Sequence, residues 1–160
     1  MERALLIIRE NIRLLIGAAV VIFTAILIVA ILISRNTKVT KVLVNNKTFS
    51  VTVAKSDQEK QIGLSKKEKI EENQGMLFIF DNPDYYRFWM KEMKFPIDII
   101  YIKDNKVVTI VENAKPPSSS GTDLTIYQPE DKSDKVLEVK AGLASKYNIK
   151  EGTTVKIENL

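Results

Sequence analysis

The sequence predicts a mainly β domain (β-rich α+β), a compact sandwich or barrel-like fold with short helices, preceded by one transmembrane helix. Three observations predict it. Residues 14–33 form an uncharged, mostly branched-aliphatic run, residues 39–158 hold many short β-branched stretches punctuated by Asn, Asp, Gly and Pro, and helical signals are confined to brief segments. Many short strands with few helices point to sheets packed on, or closed around, one core.

The run LLIGAAVVIFTAILIVAILI is long enough to cross a hydrocarbon layer of roughly 30 Å as one helix. It is apolar all round, whereas a soluble helix keeps a polar face. It exceeds the apolar core of a cleavable signal peptide, about 7 to 15 residues, and exits into Ser34-Arg35-Asn36 without a small-residue cleavage pattern. An uncleaved anchor is therefore expected. Arg3, Arg9 and Arg13 before it are matched by Arg35, Lys38 and Lys41 after it. The charged amino terminus, and the ease with which large domains translocate, favour residues 1–13 as a short cytoplasmic tail. Residues 34–47 then make a juxtamembrane segment and first strand, and residues 48–160 an extracytoplasmic globular domain at the cell membrane.

Residues 39–44 and 48–54 read as a hairpin whose turn, Asn45-Asn46-Lys47, uses the tolerance of Asn for positive φ. Ser56–Glu59 and Ser65–Glu68 both have the S-x-x-E form of a capping box, which predicts two short helices, with Gly63 stopping the first. GMLFIF, residues 75–80, is apolar on both alternating faces and predicts a central strand buried on both sides. A turn at Asp81-Asn82-Pro83-Asp84 precedes the extended stretch YYRFWMK. PIDIIYIK and KVVTIVEN flank Asp104-Asn105 as a second hairpin. Residues 114–135 are rich in Pro, Ser, Gly and charge, a connection long enough to suggest a functional or disordered loop. A strand over 135–142, a short helix in LASKYNI and a closing strand over 154–158 complete the chain.

Residues 36–160 carry Lys+Arg 20 against Asp+Glu 18, without a basic block, so nucleic acid is not an expected partner. The chain has no His and no Cys. This excludes Ser-His-Asp and Cys-His nucleophile systems, thiolate or imidazole zinc sites and disulfides. No phosphate-binding glycine loop or dinucleotide fingerprint occurs, and no metal or cofactor is expected. Asp81 with Asp84, and Asp131 with Asp134, have spacings common in turns.

The ordered set Gly63-Leu64, Gly75-Met76-Leu77-Phe78 through Phe80, Phe88-Trp89-Met90-Lys91, Phe95-Pro96-Ile97-Asp98-Ile99, Leu137-Glu138 and Ala141-Gly142 resembles the DUF192 family, also called UPF0127. The likeness runs from about residue 50 to residue 158. It implies a compact, mainly β domain, often exported or membrane-anchored, with no established biochemical activity. Where that family has G-L-M and W-M-K-N-T, this chain has Gly63-Leu64-Ser65 and Trp89-Met90-Lys91-Glu92-Met93.

Alternation along the strand from Ile97 puts Asp98 at the end of an apolar stripe, where a carboxylate needs a partner. Lys91, seven residues earlier across Phe95-Pro96, is the candidate for a structural ion pair. The sharper reading has Trp89, Lys91, Asp98 and Glu138 converge in a ligand-binding cleft, with Trp89 as a wall and residues 114–135 closing over it. The function expected is non-catalytic: a membrane-anchored module for an envelope polysaccharide, a small polar ligand or a partner protein. The alternative is a carboxylate-based hydrolase acting on envelope glycans, with Asp98 and Glu138 as acid and base, about 5 to 9.5 Å apart.

Overall fold

The computed structural model describes residues 2–35, 39–118 and 125–160. The chain forms two compact units, residues 1–38 and 39–160. The first is a single helix, α1 (Glu2–Arg35), whose described apolar side chains, among them Leu15, Phe23 and Ile26, are all exposed. Among the described residues no helix is long and apolar enough to cross a membrane. The continuously described side chains of α1 run from Leu15 to Ala30, about 24 Å at the helical rise. Leu14 and residues 31–33 of the expected span, and the flanking arginines with Lys38, have side chains outside the described residues.

Among its described residues the second unit has nine strands and two short helices: β1 (Thr40–Val44), β2 (Lys47–Ala54), α2 (Asp57–Ile62), β3 (Gln74–Asp84), β4 (Phe88–Trp89), β5 (Ile97–Lys103), β6 (Lys106–Ala114), β7 (Ile126–Tyr127), β8 (Ser133–Lys140), α3 (Leu143–Lys146) and β9 (Val155–Glu158). Seven strands form one sheet in the order β6-β5-β8-β3-β2-β1-β9, and β4 pairs with β7 in a separate ribbon. The two edges of the large sheet meet at one end. Lys106 at the start of β6 bridges Thr154, and Val107 exchanges backbone hydrogen bonds with Gly152 and Thr153. The sheet is thus curled into a half-barrel, which leaves fewer backbone groups unpaired at its edges.

One core fills the inside of the curl. Every strand of the large sheet contributes to it, including Val42, Phe49, Leu77, Ile100, Val107, Leu137 and Val155, and Leu143 and Ala144 of α3 pack into it. A second cluster lies on the other face of β3, β5 and β8, where Phe78, Ile99, Tyr101 and Val136 are covered by Leu64, Ile70 and Met90 from connecting segments. These strands are therefore buried on both sides, as the continuous apolar pattern of residues 75–80 predicts. β3 is the fourth of seven, at the centre.

Both hairpins form, with Asn45, Asn46, Asp104 and Asn105 at positive φ. The first capping box forms as well: the Glu59 backbone N–H donates to Ser56 Oγ, and the Ser56 N–H donates to the Glu59 carboxylate. The second does not. Residues 63–73 are turns and irregular chain, in which Ser65 Oγ donates to the Ile62 carbonyl and Glu68 pairs with Lys94. Leu64 and Ile70 are both buried in the outer cluster. Six residues apart on a helix they would point roughly 120° away from each other, and an irregular segment buries both. The expected turn at 81–84 is also replaced. β3 runs on to Asp84, which pairs with Ser133, and an irregularity in register accommodates Pro83.

Candidate functional site

β8 lies between β3 and β5, so Glu138 is flanked in register by Met76 on one side and Ile99 on the other. Its side chain leaves on the outer face with Val136, among apolar groups. It is 6% exposed, and Oε2 is buried without a hydrogen-bond partner. Burial away from water pushes its carboxyl up to about 8, so Glu138 holds a proton at neutral pH. The neighbouring Tyr101 hydroxyl is raised too, by its own burial first and by Glu138 second.

This carboxyl belongs to the lining of a cleft of about 350 Å³. One wall comes from α2 and the turn after it, where Gly63 adopts φ 50°, ψ −135°, a conformation open to glycine alone. A Cβ at that position would stand 3.5 Å from the Phe78 ring and 4.0 Å from Glu138 Oε2, so Gly63 borders both groups in the lining. The other wall is aromatic. Phe88 packs edge-on against Phe78 at 5.0 Å and Tyr101 at 5.9 Å, Phe80 stacks on Tyr86, and Trp89 is half exposed.

Three cations border the same space. Lys60 Nζ sits 4.6 Å from the Phe80 ring centre and Lys91 Nζ 5.7 Å from that of Trp89, with Arg87 nearby in the lining. Rings of this kind attract cations through their quadrupole. Among the described residues, none of the three is in an ion pair with a carboxylate. Besides Glu138, Asp57 is the acid of the lining.

The structure thus brings Trp89, Lys91 and Glu138 into one cleft and leaves Asp98 out. Asp98 is fully buried on the opposite face of the sheet, beside Val139 in register. Its carboxylate accepts from the backbone N–H groups of Asn113, Gly142 and Ala144, at 2.8, 3.1 and 2.8 Å. It caps the first turn of α3 from a neighbouring strand, since the N-cap residue Gly142 has no side chain to do so. The expected Lys91–Asp98 ion pair is replaced by these amides, and the expected pairing of Asp98 with Glu138 as acid and base does not form. Residues 119–124 of the expected closing loop lie outside the described residues. Of its described residues, Lys115 to Ser118, Thr125 and Tyr127 border a different cavity of about 280 Å³, and Ile126 and Tyr127 pair with Trp89 and Phe88 as β7.

Sequence reasoning missed Lys60, Gly63, Phe78 and Phe80. Gly63 carried a signal, but a glycine ending a helix is explained by the cap alone. Among the described residues there is no group of three or more acids that could hold a metal.

A family model described as an uncharacterized ACR, DUF192, matches residues 37–157, most of the chain. The chain belongs to the DUF192 family. Among solved structures, the DUF192 domain is similar to a protein of unknown function from Novosphingobium aromaticivorans, at 30% identity with a TM-score of 0.67, covering 72% of this chain and 83% of that one. It is also similar to a Sinorhizobium meliloti protein described as a candidate transcription regulator, at 25% identity and TM-score 0.66, covering 76% and 93%. No curated protein matches it. The fold of the globular unit is therefore shared with both of these solved proteins.

Proposed function

We propose that this DUF192 protein is a single-pass, membrane-anchored, extracytoplasmic binding module whose cleft holds a small polar ligand or the end of an envelope polysaccharide. The observation that carries the binding role is Glu138. A carboxyl oxygen buried without a partner costs stability, and a hydrogen bond with a ligand would offset that cost. Aromatic walls, a few polar groups and a volume within the range of small-molecule sites complete a binding geometry. No nucleophile system is needed for it.

Anchoring is supported by the apolar run 14–33 and by the exposure of apolar side chains around α1, from Leu15 at 69% to Phe23 at 67%. Water is a poor solvent for such a surface and lipid a good one. The hydrolase alternative loses its acid-base pair, because Asp98 faces the other side of the sheet. The description of the S. meliloti protein as a transcription regulator does not carry over. Among the described residues, the two helices of the globular unit are six and four residues long, too short to serve as a recognition helix.

Trp89 is the sole tryptophan and lies in the cleft lining, so its fluorescence reports on the site. The test is a titration of the full-length chain with sugars, cell-wall fragments and small polar metabolites, in a detergent without a sugar headgroup. A binding ligand changes the Trp89 emission and, at about 100 times its Kd, stabilises the fold by roughly 2.7 kcal/mol. A flat response in both readouts across the panel would sink the small-ligand reading and leave a partner protein as the occupant.

A further inference from the structure

The binding reading does not by itself say what kind of ligand fits, but the distribution of charge and hydrogen-bonding groups in the cleft does. We propose that the cleft is built for an anionic saccharide, whose ring lies against Trp89, whose negative group sits among Lys60, Arg87 and Lys91, and whose oxygen accepts a hydrogen bond from Glu138. This inference rests on the binding reading above and narrows it.

Four observations converge on it. Lys60, Arg87 and Lys91 line the cleft and are in no ion pair among the described residues, so their charge is available to a ligand. Two of them are already held over aromatic rings, Lys60 over Phe80 and Lys91 over Trp89. The aromatic faces that could have caged a ligand ammonium are thus partly taken by the chain's own cations, which would repel one. At the floor, the Glu138 carboxyl, whose Oε2 is buried without a partner, carries a proton at neutral pH and is a donor. Trp89 is half exposed at the edge of the lining, so beside Lys91 it still presents open ring surface of the kind on which sugar rings stack.

The groups facing Glu138 decide how binding responds to pH. Met76 and Ile99 flank it from β3 and β5 and do not titrate. Tyr101 on β5 is raised out of the working range. Asp57 and Lys60 from α2, and Tyr86, Arg87 and Lys91 around β4, complete the charged and titratable set. A loss of binding as pH rises through about 8 therefore reports Glu138 giving up its proton.

The experiment titrates the full-length chain with glucuronic acid, glucose 6-phosphate, glucose and choline at low ionic strength, following Trp89 fluorescence and the thermal midpoint. One or both acidic sugars bind at least tenfold more tightly than glucose, and comparing the two separates a carboxylate from a phosphate as the anionic group. Lys60→Gln with Lys91→Gln reduces their affinity to that of glucose. Glu138→Gln, which keeps an N–H donor, retains binding and abolishes the decline near pH 8, while Glu138→Leu loses at least tenfold.

Equal affinity for glucose and the acidic sugars would overturn the anionic class while leaving a binding cleft. Choline binding that Glu138→Gln abolishes would overturn it in favour of an ionised carboxylate and a cationic ligand. Silence toward all four probes, with a hit elsewhere in the wider panel, would overturn the saccharide and spare the module. Silence in both would remove the inference and the binding reading together.

Discussion

Glu138 and Asp98 are two buried carboxylates one residue apart in cross-strand register, and the fold treats them in opposite ways. Asp98 receives three backbone N–H groups and is a structural cap. Glu138 has an Oε2 that receives none. For Glu138 the pH dependence of stability follows from the raised carboxyl. In the folded protein it keeps its proton up to about pH 8, while in the unfolded chain it loses it near 4.5. Between those values the folded state binds more protons, so stability falls as pH rises, by up to about 1.4 kcal/mol per pH unit, and levels off above the folded value. Glu138→Gln removes the slope. Urea denaturation of both proteins across this window should show curves that diverge with rising pH, the variant becoming the more stable, and parallel curves would contradict a protonated Glu138. That an acid follows Leu137 in an apolar strand was legible in the sequence. Which face it takes, and whether amides meet it, depends on its register partners Ile99 and Met76, 39 and 62 residues away along the chain.

At the scale of elements, hairpins and the first cap were legible because their determinants are local. Asn-Asn and Asp-Asn accept positive φ, and Ser56 reaches Glu59 within one turn. The second S-x-x-E motif failed because burial of Leu64 and Ile70 outweighs a cap on the order of 1 kcal/mol. Gly75 shows a different constraint. A Cβ there would stand 2.8 Å from the Glu138 carbonyl oxygen and 3.3 Å from both Leu137 Cδ1 and Val51 Cγ1. The first contact is backbone in the central pair of strands, so β3 and β8 must separate to admit it. Gly75→Ala should cost about 1–3 kcal/mol by chemical denaturation and shift the Trp89 emission, because the displaced strand carries Glu138 under the cleft. A variant as stable as the parent would show that the strands yield more easily than their close approach implies.

At the scale of the molecule, the half-barrel core and the outer cluster share β3, β5 and β8, so Phe78 and Glu138 of the cleft are mounted on strands buried on both faces. Sites on such elements are held more firmly than sites on loops. The fold is shared with two solved structures, and protease access tests the anchored orientation proposed above. Protease added outside spheroplasts should digest residues 39–160 and spare a membrane-embedded fragment containing residues 14–33, detected with a tag on the short leading tail. Protection of the globular unit until the cells are lysed would reverse the orientation.

The sequence alone determined the β-rich class, the two hairpins, the centrality of residues 75–80 and the family, because turn chemistry, two-residue alternation and ordered motifs are written along the chain. It also placed Trp89, Lys91 and Glu138 among the candidates by residue type. Only the tertiary structure decided that Asp98 turns to the inner core while Glu138 faces the cleft, and that Lys60 and Gly63 join it. The reason is physical: strand pairing sets the face of every side chain, and the parallel β2–β3 pairing requires a crossover that carries α2 over the sheet. Neither is encoded within the reach of a local motif.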